Sequence, residues 1–313
     1  MEKITRGPHR VDVAPVDVSD NLAPEVTGGY LLKIDRLDPG DIGFEGGGLR
    51  LLYVDPKESD ITDAQADWLK SHFDAFDAAL DGPDFEDPHL GYTPFIDVES
   101  WIDFHIVNEF AMNPDGHVVS TYLHKLRNGP IRMGPVWDFD RTLGAENDGR
   151  SNNPERWTTL RMSNWWGRLL DDPALEHRYR QRWFEHREGV LSDDGLMGLV
   201  DTLANEVREA QVRNFQRWPV TTSAAWVQEI AELKTWLRTR LQWIDSRFQA
   251  PLFSIFGGTF DGAVFVRILN DDILRDDILN ENPAEAYYTL CLLYTSDAAD
   301  EGLGVDLGGR RII

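Results

Sequence analysis

The sequence predicts an α+β fold in which a β-rich amino-terminal part leads through one buried helix and a hairpin into a helical second half. Three observations predict it. Residues 1–57 alternate short apolar runs with Gly, Pro and Asp turns, the pattern of strands joined by loops. Residues 98–111 are apolar nearly all round a helical projection, which marks a helix enclosed on every side. From residue 163 onward, apolar side chains recur at helical spacing.

Taken in order, Gly28-Gly-Tyr-Leu-Leu-Lys33-Ile-Asp35 reads as a strand opening on a Gly turn, and Leu49-Arg-Leu-Leu-Tyr-Val54 before Pro56 as another. The Gly- and Asp-rich residues 36–48 between them read as a loop. Thr62 with Gln65 forms a capping box that opens a helix to about residue 80. Its stripe of Leu69, Phe73, Phe76 and Leu80 faces a core, and Gly82-Pro83 ends it. Asp97 caps the buried helix over 98–111, whose apolar residues include Trp101, Ile102, Phe104, Ile106, Val107 and Phe110. A hairpin follows, with Asn128-Gly129 as a two-residue turn that tolerates positive φ. Residues 145–162 are polar and irregular. Trp165, Trp166, Leu169 and Leu170 then mark a short helix, and Pro173 opens the next, over 174–188. Leu196, Leu199, Val200, Leu203 and Val207 mark a third helix, and Trp226, Ile230, Leu233, Leu237, Leu241, Ile244 and Phe248 a long fourth. All these stripes are expected to be core packing.

The formal charge of −23 opposes nucleic-acid binding, because no basic stripe offsets it, and opposes docking on an anionic membrane. No apolar run has the length of a membrane span. The single Cys291 excludes an internal disulfide framework. The start reads as the middle of a strand, and residues 291–313 resemble translated sequencing-adapter read-through, so the expectation is a fragment with a non-native tail.

Chemistry concentrates in residues 113–144. Asp115 precedes one hairpin strand, and Asp138-Phe-Asp140 follows the other. With the turn centred on 128–129, residue 138 lies opposite 119 and residue 140 opposite 117, which gathers Asp115, Asp138 and Asp140 at the open end. Three carboxylates at one point repel, so a divalent metal carrying phosphate is the natural occupant. His105 reads as a core residue; His117 lies near the carboxylates. Arg141 could meet a phosphate or neutralise its acidic neighbours. Nothing has zinc spacing, with one Cys and no His pair at i, i+4.

Two enzyme classes fit. Asp138-Phe-Asp140-Arg-Thr142-Leu143 matches the strand-end motif of haloacid-dehalogenase-type phosphatases, but that fold needs a parallel sheet of alternating strands and helices. Kinases place a catalytic Asp and a metal-binding Asp at the two ends of a short β excursion, behind a helix and before a helical lobe. That is the order here. A non-catalytic surface or coat binding protein on the same fold is the rival from outside enzymology.

Several segments carry a more specific likeness: Trp101-Ile-Asp-Phe-His-Ile-Val-Asn108-Glu-Phe, Asp115-Gly-His-Val-Val-Ser120-Thr-Tyr-Leu and Met133-Gly-Pro-Val-Trp-Asp138-Phe-Asp-Arg-Thr-Leu-Gly. Met1-Glu-Lys-Ile-Thr-Arg6, Thr27 to Asp35 and Trp165-Trp166-Gly-Arg-Leu-Leu add to it. Together they resemble the CotH (spore coat protein H) family of atypical kinases over residues 1–249. Residues 250–290 resemble the start of a chitobiase C-terminal-type β module. The resemblance implies a protein-kinase-like fold with a catalytic hairpin and helical C-lobe, transferring the γ-phosphate of ATP, with Mg²⁺, to Ser or Thr of a protein substrate. It makes Asp115 the catalytic acid and Asp138 the metal ligand, with Asp140 a second ligand or a brace. Ser120 stands where a eukaryotic-type kinase offers a metal-binding Asn, and Glu2 lies near the strand leading to the adenine hinge. The family's nucleotide-clamping Lys lies upstream of a segment like Met1–Arg6, so this chain alone is expected to be inactive or nearly so. Lys33 matches a motif but has no assigned role. Location outside the cell or on its surface or coat is implied only by analogy.

Overall fold

A computed structural model describes residues 3–145 and 148–248. Glu2, the β module expected over 250–290 and the tail over 291–313 lie outside the described residues.

Among the described residues five strands form one antiparallel sheet in the order β2-β3-β1-β4-β5: β1 Tyr30–Ile34, β2 Gly43–Gly46, β3 Leu49–Asp55, β4 Thr121–Lys125 and β5 Ile131–Met133. Period-two alternation gives the sheet two faces. Tyr30, Leu32, Ile34, Leu51, Tyr53 and Leu123 join the main core, whereas Leu31 packs with Val11 and Val13 of the amino-terminal segment on the other side. The loop expected over 36–48 contains β2, whose Gly43-Phe-Glu-Gly lacks the β-branched residues that signal a strand.

Helix α1, Asp63–Asp81, starts at Thr62 with the full capping box and buries Leu69, Phe73, Phe76 and Leu80. Helix α2, Val98–Ala111, is capped by Asp97 and packs on β5 and on α4. Its Trp101 meets Phe76 at 5.6 Å, Trp165 at 5.5 Å and Trp166 at 5.6 Å between ring centroids, an aromatic cluster at the centre of the core. The helical half holds α3 Trp166–Leu169, α4 Pro173–Glu188, α5 Asp193–Arg217 and α6 Ser223–Phe248. Arg178 and Arg182 of α4 pair with Glu99 at 2.6 Å and Asp103 at 2.7 Å on α2.

Two sequence expectations need correction. The connection between β4 and β5 takes residues 126–130, with Asn128 at φ 51° and Gly129 N–H donating to the Leu126 carbonyl at 3.2 Å. Lys125 therefore faces Ile131 and Leu123 faces Met133, one residue out of the register that a two-residue turn at 128–129 would set. The ladder also ends at Met133, since Pro135 brings no N–H, and Asp138 is reached through a loop. Second, the stripe on α5 is not core. Leu196 is buried, but Leu199, Leu203 and Val207 are exposed, because α5 and α6 pair mainly with each other as they run away from the core.

Candidate active site

The site is built on the carboxyl end of α2. Met112 adopts the left-handed conformation at φ 52° and its N–H closes the helix on the Asn108 and Glu109 carbonyls. Asn108 then organises the next turn. Its Nδ2 donates to the Phe104 carbonyl at 2.8 Å, and its Oδ1 accepts from Asn113 Nδ2 at 2.9 Å. Asn113 Oδ1 in turn accepts the Asp115 N–H at 3.1 Å. Asp115 is thus the product of an Asn-Asn relay off a buried helix, and its carbonyl closes the turn by accepting from Val119 N–H at 3.0 Å.

Gly116 sits against this relay: a Cβ there would lie 2.3 Å from Asn108 Oδ1. Gly116→Ala is expected to cost about 1–3 kcal/mol by forcing Asn108 off its partners. Urea unfolding checks this, and Asn108→Ala in the same chain should recover part of the loss as a coupling term.

Asp138 lies at φ 62°, a left-handed conformation uncommon for a residue with a side chain. Its Oδ2 accepts from Ser120 Oγ at 3.4 Å, a long bond. Ser120 is left-handed as well, at φ 53°, and its N–H faces Asp35 Oδ1 at 3.4 Å. The register Ile34 to Thr121 explains the meeting, since it puts Asp35 beside Ser120. Asp35, Asp41 and Asp138 all act on the Tyr122 hydroxyl, whose pKa is raised by burial first, lowered by Lys33 and raised again by these carboxylates. Burial opposes the charged form of Lys33, yet its ion pair with Asp41 at 3.0 Å lifts its pKa overall.

Asp115 stands in different company. Its carboxylate faces Arg141 Nη1 at 3.7 Å and Arg150 Nη1 at 3.5 Å. Both guanidiniums make closer contact with Asp148, at 2.9 and 2.7 Å. Asp140 is exposed. The structure brings Ser120 and Asp138 together, leaves Asp115 with two arginines, and adds Asp35, Tyr122, Lys33, Arg150 and Asp148, to none of which the sequence assigns a role. Beside Asp138 a groove of about 440 Å³ runs between Lys3, Ile4, Thr5, Arg10 and the segment Pro135–Phe139. Asp138-Phe-Asp140 follows β5, which is antiparallel to β4, so the parallel strand that a phosphatase motif needs is not the strand here.

A sheet-to-helix chain with acidic residues at both ends of a hairpin, behind a buried helix and ahead of a helical half, defines a protein of kinase-like architecture. A family profile described as CotH kinase protein matches residues 20–244, and the chain belongs to that family. No curated protein matches the chain significantly. Among the described residues no helix is long and apolar enough to cross a membrane.

Proposed function

We propose that the chain carries the catalytic residues of a kinase that moves the γ-phosphate of Mg²⁺·ATP to Ser or Thr hydroxyls of a protein substrate. The observation that carries this reading is Asp138, left-handed, on Ser120, and at the edge of a groove lined by Trp137 and by the cations Lys3 and Arg10. The donors available are carboxylate and hydroxyl oxygens of Asp138, Ser120, Asp35 and Asp140, the hard set that suits Mg²⁺. When bound, the metal would offset the charge of the nucleotide phosphates. Trp137 offers a ring face to a base, and Lys3 and Arg10 offer charge to phosphates. Asp115, fixed by the relay from α2, orients the acceptor hydroxyl and takes its proton.

The test is transfer of labelled γ-phosphate from Mg²⁺·ATP to the chain itself and to a generic acceptor. It compares the chain with its Asp115→Ala and Asp138→Ala variants. Transfer should fall at least about a hundredfold in both variants, the scale of a positioned acid–base group or a metal ligand. A rate indifferent to both substitutions sinks the reading. A non-catalytic binding role has one observation in its favour, the pairing of Asp115 with Arg141 and Arg150, which occupies the carboxylate the reaction needs. Nucleotide binding without transfer would select it.

A further inference from the structure

We propose that His105, Glu109 and His117 form a buried site for one divalent ion of the zinc class, behind the loop that carries Asp115. One ligand-type atom from each residue falls within 4.8 Å of the other two, and all three side chains are buried. The second observation is His117 itself. It is 2 % exposed, and among the described residues neither Nδ1 nor Nε2 has a hydrogen-bond partner, which is costly for a neutral imidazole that carries both a donor and an acceptor. Its backbone is held in place by the N–H bond to Thr121 Oγ1 at 3.2 Å, and its ring lies 4.7 Å from that of His105. A metal would take up the unmet lone pair.

The other two ligands can be released without breaking the core. His105 Nδ1 lies 2.8 Å from Tyr179 Oη and Nε2 lies 3.0 Å from the Arg161 carbonyl. Donation from Nδ1 to Tyr179 frees Nε2 for a metal, the usual way an outer partner sets the tautomer of a ligating histidine. The Arg161 carbonyl is then an oxygen donor for a fourth position. Glu109 accepts from Thr158 N–H at 3.2 Å and from the Thr158 hydroxyl. Arg161 and Arg240 approach its carboxylate only to 4.0 and 3.8 Å, and Arg240 hydrogen-bonds to backbone carbonyls instead. A carboxylate has room for further partners. The two guanidiniums oppose a cation, so the site should bind more weakly than an all-neutral surround would allow. Two imidazoles and one carboxylate suit Zn²⁺ or Co²⁺ over Mg²⁺ or Ca²⁺. The pattern escapes sequence reading because His105 and Glu109 share one face of α2 at i, i+4 and the third ligand arrives from the loop. The ion would bolt that loop to α2. This proposal is independent of the kinase reading.

The experiment titrates the EDTA-stripped full chain with Zn²⁺ and with Co²⁺. The expected result is one ion per chain, visible d–d absorption with Co²⁺, and a Tm raised by about 5 °C or more at a hundredfold excess over Kd. Glu109→Gln and His117→Asn should each lose the ion. No uptake and no shift of Tm would overturn the site. So would uptake unchanged in His117→Asn, which would place the ion on the surface. Should His117→Asn fail to fold, Co²⁺ absorption of the parent chain decides alone: bands of tetrahedral intensity support the site, and their absence overturns it.

Discussion

Arg240→Ala should cost about 3–5 kcal/mol, the scale seen when a buried charge loses its compensation. Arg240 is entirely buried on α6, and burial lowers its pKa to about 10 despite Glu109 and Tyr179 nearby. Its guanidinium donates to the Glu109 carbonyl at 2.5 Å and the Phe110 carbonyl at 3.4 Å, in the last turn of α2. It also donates to the Pro154 carbonyl at 2.9 Å and the Arg156 carbonyl at 2.5 Å in the loop beyond the hairpin. A cation at a helix carboxyl end meets the negative end of the macrodipole, so one side chain caps α2, ties down that loop and fixes α6 against both. Truncation to alanine strands those carbonyls away from water and removes a charge facing Glu109 at 3.8 Å. Urea unfolding with an unchanged m-value measures the loss. Arg240→Lys should recover only a minor part, because an ammonium cannot spread over the same fan of acceptors. A loss below about 1 kcal/mol would show that these contacts are replaced by water.

Acid is the second large lever. The pKa of His117 is lowered to about 3, by burial first and by Arg161 second. That of His105 is held well below its ordinary value of 6.5, by burial and then by His117 and Arg161. His72 is lowered to about 4 by burial, with Lys125 adding to it. These histidines are neutral in the folded chain, and the unfolded chain takes up protons near pH 6.5. Below that pH the unfolded state binds more protons, so stability falls as pH falls. The contribution is complete above about 6.5 and is lost on the way down to about 4 for His72 and about 3 for His117. Between pH 7 and 5.5 His72 and His117 together should cost about 2–3 kcal/mol, at up to about 1.4 kcal/mol per pH unit each, and His105 acts in the same direction. Carboxylates stabilised by ion pairs, such as Glu185 with a pKa lowered to about 2 by Arg178 and Arg182, surrender their share only below their ordinary range and stay out of this window. Urea unfolding at the two pH values tests it. Equal stability at both would mean the imidazoles take up protons in the fold as readily as in the unfolded chain.

Much of this architecture was legible because local rules and tertiary structure agree. The Thr62–Gln65 capping box, the Asp97 cap, the all-round apolarity of α2 and Pro173 at the start of α4 all have the outcomes that their chemistry dictates. What was not legible depends on partners far away in the chain. Asp35 beside Ser120 follows from the pairing of β1 with β4, which no short window contains. Arg240 looks like one more cation on a helix until α2 is laid across it. The hairpin register turned on whether Asn128 opens a two-residue turn or sits midway along residues 126–130, and a single residue decides which side chains face which. The α5 stripe misled for a related reason. Periodicity shows that a helix has an apolar face, not that something covers it, and Leu199, Leu203 and Val207 remain open to solvent.

The crowding of α2 bears on how this chain can vary. Nine of its fourteen residues are buried, and its last turn also receives Arg240, starts the Asn108–Asn113 relay and leads to Asp115. A substitution at Trp101 or Phe104 therefore alters packing and the placement of Asp115 at once, with few neutral positions in between. The outer half of the α5–α6 hairpin is under no such double constraint. Drift should accumulate there, and sequence divergence within the chain should rise steeply with distance from the end of α2.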